Sequence, residues 1–169
     1  MGRVSSRRRS RPALVLLILM TAWGGAVFAA PWLAAAPRGS LRVDMAAGVY
    51  LAGGVVCHQR ADRSFHVFGA QLPVCARCQG VYAGAAAAAA LALGLGAAGR
   101  LGRRATLPTR SFLIVAALPT ALSWTLEQLG WVHGTPAIRA VLAVPLGIAV
   151  ALVASAWHAP EMALPHEVN

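Results

Sequence analysis

The stretch QGVYAGAAAAAALALGLGAAG, Gln79–Gly99, contains no charged residue and is long enough to cross a bilayer as a helix. A transmembrane helix needs about 20 predominantly apolar residues. Arg100 and Arg103 follow the run directly, and basic residues commonly flank a span where it leaves the membrane. The stretch therefore predicts a membrane-spanning helix.

The composition of the chain predicts the same class of protein. Its 169 residues are 58% hydrophobic and only 12% charged, whereas about 25% charged residues is usual in a soluble domain. The net charge is +10. Every basic residue is an arginine, however, and the arginines cluster around apolar runs rather than forming a basic face with interleaved aromatic residues. We therefore expect the lipid bilayer as a partner, and no nucleic acid.

Three more apolar runs predict further spans, at Ala13–Ala36, Ser111–Val132 and Ala140–Trp157. The predicted fold is an all-α integral membrane helical bundle of about four spans. Residues 12–36 form the first span; the sequence VFA before Ala30 also resembles a signal-peptide cleavage site, but the run is long for a signal core. The run Val43–Cys57 is shorter and contains Asp44, so we interpret it as a half-buried or interfacial helix leading to Cys57.

Arginines orient the predicted bundle. Residues 1–11 are strongly basic, and a second basic group lies at 100–110, between the second and third spans. The positive-inside rule places both groups in the cytoplasm. This predicts a multi-pass cell-membrane protein with both termini inside, including the tail 160–169. The membrane domain 37–159 then carries an extracytoplasmic loop at 57–80.

This loop, CHQRADRSFHVFGAQLPVCARCQG, contains all the cysteines of the chain and two of its histidines. Thiolate and imidazole ligands suit zinc and other borderline-soft transition metals, and structural zinc sites often use three cysteines and one histidine. The candidate ligands are Cys57, Cys75 and Cys78, with either His58 or His66. Adjacent side chains diverge, so His66 is geometrically easier to combine with Cys57 than His58 is.

Thiol chemistry is the main alternative. Cys75 and Cys78 lie at the predicted start of the second span, where the helix N-terminus, Arg63 and Arg77 would lower the thiol pKa values. A membrane thiol–disulfide oxidoreductase could use this pair, although it would have only Cys57 as a further thiol. A structural disulfide in a small transporter or scaffold subunit is a third possibility.

Glu127 is the acidic residue inside the predicted spans, and such residues are costly there. Its position near the outer interface allows two interpretations. It pairs with Arg139, or it supports the loop as a metal or proton partner. In the second case an embedded metal-dependent hydrolase becomes conceivable, so the sequence leaves open whether the protein is an enzyme.

Small residues recur every fourth position at Gly80, Gly84 and Ala88. Such faces let membrane helices approach closely. We expect this face to pack within the bundle or to form a homo-oligomer.

The segments CHQ, RSF and LPVCARCQGVYAG resemble the pattern of a family of small predicted membrane proteins, domain of unknown function two thousand and eighty-five. The resemblance runs from Cys57 to the C-terminus and implies a polytopic membrane protein with no established activity. His58 falls within the family pattern and His66 does not, so the resemblance favours His58 as the fourth ligand. The other matching positions are Cys57, Gln59, Arg63, Ser64, Phe65, Cys75, Arg77, Cys78, Gly80, Tyr82 and Gly84.

Overall fold

The computed structural model describes residues 11–94 and 109–157. Five helices occupy these residues, which agrees with the predicted all-α class: α1 (Arg11–Ala34), α2 (Leu41–Val56), α3 (Ala76–Gly94), α4 (Thr109–Gln128) and α5 (Pro136–Trp157). The segment between α2 and α3 holds a 3₁₀ turn (Ala61–Arg63) and a short hairpin of β1 (His66–Val67) and β2 (Ala70–Gln71). Most of the arginines used to predict orientation, and the tail 160–169, lie outside the described residues.

Two of the described helices are long and apolar enough to cross a membrane. They are Leu14–Ala34 and Pro136–Ala154, with mean hydropathies of 2.0 and 2.3. Only 28% and 22% of their most apolar windows are buried, so most of this apolar surface faces outward, as a bilayer requires. These helices support the first and fourth predicted spans. The second and third predicted spans begin on α3 and α4, and their membrane crossing stays a prediction.

Helix α3 packs closely along α5 because glycines line their contact. A Cβ atom at Gly80 would collide with the backbone carbonyl of Ala140, and one at Gly84 with the carbonyl of Val144. From the opposite side, Gly147 of α5 meets the carbonyl of Val81. The predicted small-residue face is therefore used within the chain, and a homo-oligomer would need another surface.

Helix α1 covers a different face of α3. Gly24 of α1 lies directly against Ala86, and the rings of Trp23 and Tyr82 meet edge to face, with centroids 5.9 Å apart. Helix α2 packs back along α1 and exposes apolar side chains such as Leu51 and Val55. The sequence expectation of a short helix leading to Cys57 is confirmed, since α2 ends at Val56.

Candidate metal centre

The loop between α2 and α3 folds back over the start of α3. Its hairpin pairs His66 with Gln71 and Val67 with Ala70. Phe68 and Gly69 form the turn with φ angles of 53° and 76°, the left-handed pair that a two-residue type I′ hairpin turn requires. The hairpin tip is exposed, and the return strand leads the chain down to Pro73 and the cysteine pair.

Glutamine side chains hold this loop against α2. The amide of Gln59 donates to the carbonyl oxygens of Tyr50 and Pro73, each at 2.7 Å. Gln71 donates to the carbonyl of Gln59 at 2.5 Å, and the Tyr50 hydroxyl donates to the carbonyl of Gln71. Gly53 gives the loop room, because a Cβ there would collide with the carbonyl of Pro73. These contacts place Cys57 and Cys75 next to each other despite their separation in sequence.

The loop and α3 bring Cys57, Cys75 and Cys78, here called the cysteine triad, into one cluster. Their sulfur atoms all lie within 4.8 Å of one another. Three sulfurs bound to one tetrahedral zinc ion at ~2.3 Å would be separated by about 3.8 Å, so small adjustments suffice to bind a metal. The backbone N–H of Cys75 donates to Cys57 Sγ at 3.1 Å, a contact that fixes the position of this sulfur next to Cys75.

The triad lies in a largely apolar setting. Cys57 and Cys75 are 5% and 7% exposed and belong to a buried cluster with Val27 and Val74. Tyr82, one turn after Cys78 on α3, packs against the same cluster. The surroundings exclude water from two of the three sulfurs, which suits a bound ion better than thiol exchange with another protein.

The thiols of Cys75 and Cys78 are unequal. The pKa of Cys75 is lowered to about 5, chiefly because the Cys78 thiol donates a hydrogen bond to it. Cys78 precedes the predicted second span. The pKa of its thiol is raised because this thiol holds the proton of the hydrogen bond to Cys75. The prediction that the helix start lowers both pKa values is therefore wrong for Cys78. One thiolate of the triad is available before any metal binds.

Neither candidate histidine joins the triad. His58 and His66 are both exposed, and the three cysteines are the group that the described residues bring within ligand distance of one another. His58 directly follows Cys57 and precedes Gln59, which has a left-handed φ of 45°. His66 lies on β1, whose two residues are both exposed. The choice of a fourth ligand therefore stays open between them.

Arg77, Glu127 and Arg139 form a second cluster, the arginine–glutamate network. Glu127 Oε1 lies 2.9 Å from Arg77 Nη2 and 3.0 Å from Arg139 Nε. This is the pairing with Arg139 that the sequence offered as one interpretation, with Arg77 added. Both arginines hold the carboxylate, which is therefore not free to bind a metal in this arrangement. Arg63 lies instead near Asp62, with 3.7 Å between Nε and Oδ2.

Several residues of the site were not predicted from the sequence. Tyr50 and Gln71 support the loop through hydrogen bonds to or from backbone groups, which leave no motif in the sequence. Gln79 is 3% exposed, and within the described residues its side-chain amide has no hydrogen-bond partner. A polar residue directly after the cysteine pair in an otherwise apolar run was the one available signal for Gln79.

The fold and the site together define a helical membrane protein with an ordered cysteine loop at one end. The chain belongs to the family described as "Predicted membrane protein (DUF2085)", whose profile matches residues 57–153. This match contains the whole cysteine triad and the arginine–glutamate network. It confirms the family resemblance drawn from the loop motif.

Two relatives among curated proteins match part of the chain. An uncharacterized protein of Methanocaldococcus jannaschii, MJ1492, is 30% identical over 82 residues, covering 48% of this chain and 50% of the relative. An uncharacterized protein of Methanothermobacter thermautotrophicus is 26% identical over 98 residues, covering 58% of this chain and 83% of the relative. The chain thus spans about half the length of the first relative. No solved structure matches the chain significantly.

Proposed function

We propose that the cysteine triad binds one transition-metal ion, with zinc the best fit, at the outer face of a multi-pass membrane protein. The convergence of three sulfurs from two distant parts of the chain carries this proposal. Soft thiolate ligands select zinc or a similar ion over magnesium or calcium. Burial of Cys57 and Cys75 and the N–H bond to Cys57 Sγ support ligation.

Cobalt binding tests the metal site directly, because Co²⁺ bound to thiolates absorbs light strongly while zinc is colourless. The full chain in detergent should give thiolate-to-cobalt charge-transfer absorbance that saturates at one ion per chain. Replacing any one of Cys57, Cys75 or Cys78 by serine should abolish or greatly weaken this signal. Saturable Co²⁺ binding that persists in each of the three single serine variants would contradict the proposal.

The fourth ligand is tested by single histidine variants. His58→Ala and His66→Ala should differ, with loss of the true ligand changing the cobalt spectrum and weakening binding by about 10-fold or more. His133→Ala is the matched control, because His133 is an exposed histidine in the turn between α4 and α5. Spectra unchanged in both loop variants would exclude histidine ligation and point to water or another external group.

The proposed topology places both termini in the cytoplasm and the loop outside. Phe68 at the hairpin tip is 70% exposed, so Phe68→Cys should react with a membrane-impermeant thiol reagent in intact cells. Arg110→Cys, at the exposed start of α4, is the matched cytoplasmic control and should react only after permeabilisation. The reverse pattern would invert the proposed orientation.

A membrane thiol–disulfide oxidoreductase is the second candidate, because the lowered pKa of Cys75 provides a nucleophilic thiolate. It predicts a metal-free protein with a Cys75–Cys78 disulfide that exchanges with a small thiol probe. One bound ion per chain that shields all three thiols would exclude it.

A further inference from the structure

An apolar groove runs between α1 and α2, on the side of α1 away from the cysteine loop's hairpin tip. Its volume is about 680 Å³, and every residue that lines it is apolar. On α1 it extends from Leu19 to Leu33, a length of about 21 Å at a rise of ~1.5 Å per residue. One leaflet of a bilayer has a hydrocarbon depth of about 15 Å, half of the ~30 Å core. The groove is therefore long enough for a lipid tail.

The walls of this groove are fixed, and its centre is open. Trp23 and Val49 line the groove and also pack against the buried cluster that includes two cysteines of the triad. Their positions are thus set by the bundle. Gly25 of α1 and Gly48 of α2 line the groove as well, and a Cβ at either position would meet no atom within 4 Å. The two glycines leave space for an occupant.

The groove lies within the part of α1 that is apolar enough to cross a membrane. That part is Leu14–Ala34, and the groove follows it as far as Leu33. When α1 is inserted in a bilayer, the groove faces hydrocarbon. A lipid tail is then the occupant that matches both its apolar lining and its surroundings.

Positive charge lies at one end of the groove. The turn that joins α1 to α2 carries Arg38, and the first turn of α2 carries Arg42; both are exposed. The guanidinium of Arg42 stacks over the ring of Trp32 on α1, 5.0 Å from its centroid. Within residues 11–94 and 109–157, neither arginine forms an ion pair with a carboxylate. Asp44, also in this first turn, leaves the end of the groove with a net positive charge.

This distribution of charge matches an amphiphile. The arginines lie next to Ala34, where the apolar part of α1 ends and lipid headgroups begin, and Trp32 is a residue type enriched at that interface. Arginines near a membrane surface attract anionic lipids. A lipid whose tail follows the groove toward Leu19 therefore places its headgroup at the positive end.

We propose that the groove between α1 and α2 binds one anionic phospholipid, with an acyl chain against Trp23 and Gly48 and its phosphate beside Arg38 and Arg42. The proposal is independent of the proposed metal function, since it uses none of the metal ligands. It assigns α2 a role besides leading the chain to the cysteine loop.

Native mass spectrometry of the full chain in a mild detergent tests the groove. The protein is titrated with phosphatidylglycerol, which is anionic, or with phosphatidylcholine that carries the same acyl chains. We expect one phosphatidylglycerol to bind per chain. Gly48→Leu fills the groove and should raise the Kd of both lipids by about 10-fold or more, because even two methylene groups then lose their apolar contact. Ala47→Leu is the matched control, since Ala47 is exposed on α2 outside the groove, and it should leave both Kd values unchanged.

The same titration tests the charge at the end of the groove. The unaltered protein should bind phosphatidylglycerol at least about 5-fold more tightly than phosphatidylcholine, the effect expected of one arginine near an anionic headgroup. Arg42→Gln should weaken phosphatidylglycerol binding by that factor and leave phosphatidylcholine binding unchanged, while Arg42→Lys should keep the preference. Arg60→Gln is the matched control, because Arg60 lies in the loop and is 55% exposed, and it should change neither Kd.

Circular dichroism and gel filtration identify any variant that fails to fold. If Gly48→Leu does not fold, Gly25→Leu fills the same groove from α1. Unchanged lipid binding in the folded glycine variants, or equal affinity of the unaltered protein for the two lipids, would overturn the proposal. So would a dimer without bound phospholipid that Gly48→Leu dissociates, because a second copy of the chain would then cover the groove. Loss of Co²⁺ binding in the cysteine variants is measured separately, so the metal proposal and the lipid proposal can fail independently.

Discussion

The contact between α3 and α5 and the loop above α3 are stabilised in opposite ways. Along α3 and α5, glycines allow backbone to meet backbone, so packing depends on the absence of side chains. In the loop, a few side-chain amides bind backbone carbonyls and hold an irregular chain in place. The two regions meet at the start of α3, where the cysteine triad lies. The proposed metal centre therefore depends on a closely packed helix pair on one side and on a hydrogen-bonded loop on the other.

The contact between α3 and α5 should be highly sensitive to an added methyl group. Gly80→Ala places a Cβ against the carbonyl of Ala140, and overpacking of this kind costs about 1–3 kcal/mol or more. Gly48→Ala is the matched control, since nothing lies within 4 Å of a Cβ at Gly48 of α2. Thermal unfolding in detergent should show a large loss for Gly80→Ala and none for Gly48→Ala. Equal effects would show that the glycines do not set the helix approach.

The loop should lose stability when the hydrogen bonds from its side chains to backbone carbonyls are removed. Gln59→Asn keeps the amide and tolerates the left-handed backbone at this position, but its shorter side chain no longer reaches Tyr50 and Pro73. Leaving their carbonyls without a donor costs about 1–3 kcal/mol, and the Kd for Co²⁺ should rise. Gln128→Asn, at an exposed position on α4, is the control and should change neither quantity. Unaltered Co²⁺ binding in Gln59→Asn would show that the hydrogen bonds of Gln59 do not support the proposed metal centre.

The exposed ion pairs of the loop should contribute least to the thermal stability of the protein. A hydrogen bond from Arg60 lowers the pKa of the exposed Asp62, so its carboxylate stabilises the folded loop above the unfolded pKa of about 4. This contribution is lost as pH falls through the lowered folded pKa. Asp62→Asn should therefore reduce the Tm slightly at pH 6, and the difference from the unaltered protein should vanish in strong acid. A difference that grew on acidification would contradict the assigned direction.

The helical part of the protein was predictable because apolar runs and small-residue spacing are local signals. The face of Gly80 and Gly84, the helix before Cys57 and the helices over the four apolar runs all follow from such patterns. The convergence of the three cysteines was predictable from residue type and loop length alone. Their unequal pKa values were not, because these arise from a hydrogen bond between the two thiols.

The loop hairpin and the addition of Arg77 to Glu127 could not be read from the sequence. The hairpin has two-residue strands and turns at Phe68–Gly69, which carries none of the usual asparagine or aspartate turn signals. The ion pair between Arg77 and Glu127 joins residues distant in sequence, so it depends on how α3 and α4 each pack against α5. The exposed positions of His58 and His66 depend in the same way on the path of the loop.

The most direct test of the account is the metal content of the full chain, purified without added metal, combined with a count of reactive thiols. We predict one zinc ion per chain and three thiols that react only after a chelator removes the ion. Cys75→Ser should lack the ion. A metal-free protein whose cysteines form a disulfide that exchanges with a thiol probe would contradict the metal centre and establish the redox alternative in its place.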